Sequence, residues 1–371
     1  MTTVAILGGG QLGLMLGEAA ATMDVDVRFL DPSADACAGT VGSLAVGALD
    51  DEAAVLDVAF GADVVTYEWE GVPAWSARIL ADTEHVVRPS PAVLAVSQDR
   101  LLEKRMATSL GLPTAPFVAV DEVSDVNGAV GVDEAIELVG VPAVVKTRRG
   151  GYDGKGQRVV RSRGEAASAV AELGGRSLIV ESFVPFAREL SILAARDTNG
   201  AVLTWPLVEN HHELGILRTS LAPAGGADLQ RRADEIASAI LEHFSYVGVL
   251  AVELFDVDGR LLVNEIAPRV HNSGHWTIEG ARTSQFENHL RAILDMGLGP
   301  TGVDGAAAML NCVGALPDPD AIASVPGATL HDYGKAVRRG RKVGHVTIVA
   351  DDAVIRDERV NELGALLPRD G

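Results

Sequence analysis

The sequence predicts an α/β domain at the N-terminus followed by α+β units, and three observations carry that expectation. The first is a β-turn-α-β rhythm: an apolar strand at Thr3–Leu7, a glycine-rich turn, a helix from about Gln11 to Met23, and an alternating strand Val25–Leu30 that ends at Asp31. The second is the run RRGGYDGKGQ at Arg148–Gln157, which directly follows the apolar segment Val141–Lys146. The third is AVELFDVDGRLLVNEIAPRVHNSGHW, which reads as two apolar strands around Asp258-Gly259 with acidic residues set inside them.

Taken in order, the helical stretch Asp51–Phe60 leads into a strand at Asp63–Tyr67, and Val86 begins a further unit. Such alternation is the pattern of a parallel, doubly wound sheet. This first domain closes near Pro89–Pro91. Asp99–Leu110 is helical, with Gly111-Leu112-Pro113 as its stop. A strand near Phe117–Val120, a helix near Asp133–Val139 and strands before Lys146 and at Gln157–Arg161 follow. The helix Arg163–Leu173 and the strand Ser177–Ser182 complete a compact α+β unit around the glycine loop. Beyond Phe183 come several strands, a helix at Leu229–Phe244, the hairpin Val249–Pro268 and a helix at Ser284–Met296. Past Gly302 the pattern is mixed. The division expected is 1–95, 96–182 and 183–371.

Composition narrows the function. With 371 residues and 47% hydrophobic content the chain has ample material for buried cores and two or three domains. A formal charge of 31 − 51 = −20 disfavours nucleic acid and anionic membranes as partners. Its basic residues therefore act locally, as anion ligands or surface pairs. Cys37 and Cys312 show no metal-like spacing and read as buried, reduced thiols. The N-terminus lacks the cationic start of a signal peptide, and no apolar stretch is long enough to span a bilayer, so a cytoplasmic location is expected.

Gly8, Gly10 and Gly13 satisfy GxGxxG between a strand and a helix, with Asp31 ending the second strand, which is the setting of a dinucleotide fingerprint. The physics says only that an anion can approach a helix N-terminus closely. Any phosphate-bearing ligand would serve as well as a pyrophosphate, and Gln11 is placed to hydrogen-bond to it.

The second loop has four glycines, Gly150, Gly151, Gly154 and Gly156, among three cations and a Tyr-Asp pair. Glycine permits the φ > 0 turns that gather backbone N–H groups around an anion, and Lys146 adds a point charge. In the hairpin, Glu253 lies on the first strand and Asn264 and Glu265 on the second, and acids inside apolar strands are costly unless paired or metal-bound. Mg²⁺ holding a triphosphate would take one or two such carboxylates plus phosphate oxygens. A two-residue turn would put Glu253 and Glu265 on opposite faces. A three-residue loop, Val257–Gly259, would leave them as diagonal neighbours roughly 7–8 Å apart on one face, and is the geometry expected. Arg269, His271, Asn272, Ser273, His275 and Trp276 then crowd one short turn, and KAVRRGRKVGH at Lys335–His345 is a basic run in an acidic chain.

Together these residues resemble the ATP-grasp superfamily and, within it, the 5-(carboxyamino)imidazole ribonucleotide synthetases of purine biosynthesis. The strongest motifs are GGYDGKGQ, GILRTS at Gly215–Ser220 and NEIAPRVHNSGHWT at Asn264–Thr277, and the resemblance runs from Gly8 to His345. It implies an ATP-grasp fold behind a Rossmann-like domain, with ATP, bicarbonate and aminoimidazole ribonucleotide as substrates, Mg²⁺ accompanying ATP, and a homodimer. It implies ATP contacts at Arg100, Lys146, Gly151, Gly154, Lys155, Gly156 and Gln157, with the strand Glu181, Ser182, Phe183, Val184 presenting its edge to adenine. Glu189 would hold the ribose hydroxyls, His212 would lie beside the nucleotide, and Asn264 would sit next to the phosphates. Mg²⁺ would rest on Glu253 and Glu265. The ribonucleotide would meet Gln11, Glu68, Tyr152, Asp153, Arg269, His271, Lys335, Arg341 and Lys342. Lys146, Asp153, Arg269 and His271 would be catalytic, with either His271 or Asp153 taking the amine proton. The loop would close over carboxyphosphate to exclude water. The competing readings are a Rossmann-type NAD-dependent dehydrogenase, a silent ATP-binding subunit, and an ATP-grasp ligase with another acceptor.

Overall fold

The structure, a computed structural model, describes residues 2–120, 131–151, 154–174 and 177–368. Three sheets organise it. The first is wholly parallel and contains β1 (Thr2–Leu7), β2 (Val25–Asp31), β3 (Ser43–Val46) and β4 (Val64–Tyr67) in the order β3-β2-β1-β4. Period-two alternation in β1 explains its two-sided covering. Val4 and Ile6 pack toward helix α1 (Gln11–Thr22), while Ala5 and Leu7 join the core under α2 (Glu52–Ala59) and α3 (Ala74–Asp82). The expected doubly wound parallel sheet is present. No strand forms at Val86; Val87 makes one isolated parallel bridge to Val65. A short helix α4 (Pro91–Ser97) leads to α5 (Arg100–Ser109), whose N-terminus is capped by Asp99, with Leu101 N–H donating at 3.0 Å.

The second sheet is antiparallel, with β5 (Phe117–Val120), β6 (Ala143–Thr147), β7 (Gln157–Val160) and β8 (Leu178–Ser182) in the order β5-β8-β6-β7. Helices α6 (Val132–Val139) and α7 (Ala166–Leu173) cover one face through Ile136, Ala166 and Ala169. The glycine-rich loop is the excursion between β6 and β7, closed by Thr147 N–H donating to Gly156 O at 2.8 Å.

The third sheet has nine strands: β9 (Arg188–Arg196), β10 (Val202–Thr204), β11 (Val208–Glu213), β12 (Ile216–Ala222), β13 (Gly248–Val257), β14 (Arg260–Ala267), β15 (Ala306–Val313), β16 (Ala328–Asp332) and β17 (Lys342–Ala350). Their order is β14-β13-β9-β11-β12-β15-β17-β16, with β10 on β9. Helix α8 (Ala227–His243) buries Ala233, Ile236, Ala237 and Ile240 against one face. On the other, Phe286, Leu290 and Ile293 of the helix Gln285–Ile293 share a single core with α1 and with Leu193 and Val249. His289 of that helix sits between the first and third sheets. Val249 N–H donates to its Nδ1 at 3.2 Å, and its Nε2 lies 2.9 Å from Thr66 Oγ1. β15 is buried along its whole length, so its sequence AAAMLNCV carries no alternation by which a strand could be recognised. Cys37 and Cys312 are buried and unbridged. Among the described residues, no helix is long and apolar enough to cross a membrane.

Candidate functional site

The hairpin corrects one expectation and keeps its consequence. Its turn is the two-residue Asp258-Gly259 type, both residues at positive φ (52° and 80°), and Val257 pairs with Arg260. That register alone would separate the two acids. A β-bulge at Asn264 restores them: Leu254 pairs with Val263, but Glu253 pairs directly with Glu265. The carboxylates thus stand opposite each other on one face. Glu265 opens onto the cleft yet lies deep among protein atoms, and that burial with the Glu253 charge pushes its carboxyl up to about 7. The charges of Arg100 and Lys146 reach Glu265 and pull the other way. Burial also works against the charged form of Glu253, but His271, with Nε2 at 3.2 Å, outweighs it and leaves Glu253 below the usual range.

Helix α5 ties this pair to the glycine loop. Asp99 receives Arg148 at 3.0 and 2.7 Å and Arg149 at 3.2 Å. Arg100 donates to Thr147 O at 2.8 Å and Gly151 O at 3.2 Å. A Cβ on Gly151 would lie 2.6 Å from the backbone oxygen of Lys155 and 2.7 Å from the Arg100 guanidinium, so a side chain there would force the loop backbone to shift. Gly150, Gly154 and Gly156 all have positive φ, and a Cβ on Gly154 would come 3.0 Å from Gly215 Cα in the turn of GILRTS. Lys155 and Gln157 are exposed. Lys146 on β6 donates to Glu181 Oε2 at 3.0 Å, and the fully buried Lys104 lies 3.5 Å from the same oxygen.

That places Glu181 differently from expectation. β8 is an inner strand ending at Ser182, so it offers no free edge. Ser182 N–H is spent on Pro116 O (2.9 Å) and Phe183 N–H on Pro142 O (3.1 Å). In the segment after the strand, Phe183 is exposed and Val184 half-buried. On β9 and β11, Glu189 and His212 meet at 2.8 Å.

Beyond the hairpin, Arg269 donates to Glu70 and to Val270 O (2.8 Å), and Glu70 is held down to about 2: burial opposes ionisation, and the Arg269 charge and hydrogen bond overcome it. His271 is clamped by Gln285, whose Oε1 accepts from His271 N–H (2.8 Å) and whose Nε2 donates to its carbonyl (2.7 Å). Its Nδ1 lies 2.8 Å from Ser273 Oγ, which is 2.8 Å from Ser191 Oγ.

At the first glycine turn the ligand is the protein itself. Gly10 N–H and Gly13 N–H donate to the buried Glu68 carboxylate at 3.0 and 3.2 Å, and Gly9 N–H donates to Asp31 at 2.8 Å. A Cβ on Gly8 would come 2.7 Å from Glu68 Cγ. The glycines let a carboxylate of this chain reach the helix N-terminus, leaving no room for a pyrophosphate, and Asp31 is not free for a ribose. The dinucleotide reading does not fit. Gln11 accepts from Lys335, and the fields of Glu68, Arg341 and Lys342 reach Lys335. Lys342 opens β17 and Arg341 precedes it, both half-buried.

The expected residues therefore assemble into two connected groups. Arg100, Lys146, Glu181, Glu253, Glu265, His271, Arg269, Glu189 and His212 form one electrostatic cluster. Gln11, Glu68, Lys335, Arg341 and Lys342 form the other, joined to the first through Arg269 and Glu68. Asn264 is the bulge residue itself. Tyr152 and Asp153 lie outside the described residues. Sequence reasoning missed Glu70, Glu103 and Lys104. The signal for the last two was present: in RLLEKRMA, charged residues fall among Leu101, Met106 and Ala107, on the face that a helix buries.

Comparison with known proteins is consistent across the chain. Residues 105–286 match the model of the ATP-grasp domain, 1–98 the ribonucleotide synthetase preATP-grasp domain, and 307–359 the phosphoribosylaminoimidazole carboxylase C-terminal domain. An N5-carboxyaminoimidazole ribonucleotide synthase from Pseudomonas aeruginosa is 44% identical over 98% of this chain and 99% of its own. The crystal structure of the N5-carboxyaminoimidazole ribonucleotide synthetase from Thermus thermophilus superposes with a TM-score of 0.93 at 50% identity, covering 99% of each chain. An Aspergillus clavatus N5-carboxyaminoimidazole synthase, solved in complex with ADP and 5-aminoimidazole ribonucleotide, gives 0.88 at 30% identity over 98% of this chain and 97% of that one.

Proposed function

We infer that this chain, which belongs to the N5-carboxyaminoimidazole ribonucleotide synthase family of ATP-grasp ligases, uses ATP and bicarbonate to carboxylate 5-aminoimidazole ribonucleotide on its exocyclic amine. The observation that carries the reading is the direct opposition of Glu253 and Glu265 within the field of Lys146 and Arg100. Two carboxylates forced together, one pushed up to about 7, are what a divalent cation relieves, so the donor set fits Mg²⁺. Among the described residues no group of three protein ligands could hold an ion unaided, which suits a cation shared with phosphate oxygens. Bound there, Mg²⁺ would neutralise charge on the triphosphate.

A bicarbonate oxygen attacks the γ-phosphorus and the bond to ADP breaks, giving carboxyphosphate. Transfer of this kind is positioning and charge compensation. Lys146, held by Glu181, presents its ammonium to the moving phosphoryl group, and Arg100 with Asp99 fixes the base of the glycine loop. The ribonucleotide amine then forms the C–N bond to the carboxyphosphate carbon as the C–O bond to phosphate breaks, and the departing inorganic phosphate takes the amine proton. Arg269, oriented by Glu70, offers its charge to the anionic intermediate. His271, with both ring nitrogens engaged, holds Glu253 in place. Lys335, Arg341 and Lys342 supply charge for the ribonucleotide phosphate. We take the enzyme to be a cytoplasmic homodimer, a mass that sedimentation and a location that cell fractionation would check.

An ADP-release assay tests the assignment. Release is expected to require both bicarbonate and the ribonucleotide; full release with another acceptor, or without any, would overturn it. Glu265→Gln is expected to cut Mg·ATP use about a hundredfold while ribonucleotide binding holds. Equal losses in both would remove the metal role.

A further inference from the structure

The bulge at Asn264 is the feature on which the opposition of Glu253 and Glu265 depends. β14 is the outer strand of its sheet, so its outward N–H and C=O groups need partners from elsewhere. An extra residue also leaves ladder groups unpaired at that point. Without the bulge, the turn's own register would set Glu265 against Val252, on the wrong face.

Two consecutive residues of α5 meet that need. Lys104 Nζ donates to Asn264 O at 2.9 Å and to Val263 O at 3.3 Å. Glu103 Oε1 accepts from Ile266 N–H at 2.5 Å. One holds the carbonyls at the bulge and before it, the other the amide just after Glu265. Both are ionisable yet almost wholly buried, at 2% and 4% exposure, and ionisable side chains are rarely so placed without a partner that requires them. Pro113 O extends the grip by accepting Val263 N–H at 2.7 Å. Lys104 further reaches Glu181, the carboxylate that holds Lys146. The same helix begins with Arg100, which holds the glycine loop.

We propose that Glu103 and Lys104 are positioning residues that clamp the β14 bulge and thereby set the register in which Glu253 and Glu265 face each other. The proposal rests on the metal role assigned above and adds which residues build that site. Neither side chain is a ligand: each acts through the backbone of β14. The chemistry of the contacts separates this from a charge role. Ile266 N–H needs only an acceptor oxygen, which a glutamine retains, whereas Lys104 must donate.

The test uses Mn²⁺ as the probe, titrated into the full-length enzyme with ADP and followed by electron paramagnetic resonance, alongside calorimetric binding of the ribonucleotide and thermal melting. E103L and K104M are expected to weaken Mn²⁺ binding by at least about tenfold with ribonucleotide affinity unchanged. E103Q, whose shape is preserved, is expected to keep the wild-type Mn²⁺ affinity. Unchanged Mn²⁺ binding in folded E103L and K104M would overturn the clamp. So would a folded E103Q that loses Mn²⁺, because that outcome demands the charge; this arm reads out even where E103L does not fold. Wild-type enzyme that fails to take up Mn²⁺ with ADP would instead remove the metal role itself.

Discussion

The turn at Gly8–Gly13 and the loop at Arg148–Gln157 are both glycine-rich, both follow a strand, and both look built for an anion, but their glycines answer different demands. In the first, the anion is resident: Glu68 and Asp31 occupy three amides, and the glycines exist because a Cβ at Gly8 would strike Glu68. In the second, Gly150 has φ +76° with nothing within 4 Å of its would-be Cβ, and Arg100 and Thr147 hold the base of the loop. The first is a joint of the scaffold; the second faces outward. A glycine signature reports close approach, and what approaches is decided by the neighbours.

The widest separation between the two regions is expected in activity. Lys146→Ala, beside the second loop, should reduce ADP formation about a thousandfold in a steady-state assay, with melting little changed. Ordinary turnover in that variant would dissolve the contrast. The next effect concerns His289, which latches the sheet carrying the first turn to the strand carrying Glu253. Burial lowers it to about 4. The unfolded chain then binds the proton more readily, so its contribution is complete above about pH 6.5 and is lost as pH falls toward 4, some ~3 kcal/mol in all. Chemical denaturation of His289→Gln across that range should show a flatter pH profile; an equal slope would reject the latch.

A pair of glycine substitutions sharpens the comparison further. Gly8→Ala combines φ +101° with a 2.7 Å contact and should cost about 2–3 kcal/mol by denaturant melt. Gly150→Ala meets no atoms and should cost about 1 kcal/mol, from its positive φ. Equal costs would mean that Glu68 is not what Gly8 accommodates. The smallest effect is placed on the basic run: Lys342→Ala should raise the ribonucleotide KM about tenfold, near 1.4 kcal/mol, with the ATP KM unchanged.

Much of the site was legible because chemistry sat where structure alone would not put it. Acids inside apolar strands, donors crowded after Pro268, and a loop with cations between glycines all stand out against local cost. The parallel first sheet was legible for the same local reason, its alternation of period two and 3.6. Glu70 was not, since its meaning comes from Arg269, far away in sequence; for Lys104 the helix pattern marks a buried charge, but not the β14 carbonyls it meets. β15 was hidden by burial on both faces.

From its letters alone the chain declares its ingredients: a lysine at the end of β6, a loop able to wrap an anion, two glutamates on a hairpin, and a basic stretch near the end. Whether those glutamates meet was decided only in three dimensions. A strand turns its side chains to alternate faces at each step, so a single extra residue reverses everything beyond it. The turn chemistry of Asp258-Gly259 sets one register, and the packing of α5 along the sheet's outer strand accompanies the other.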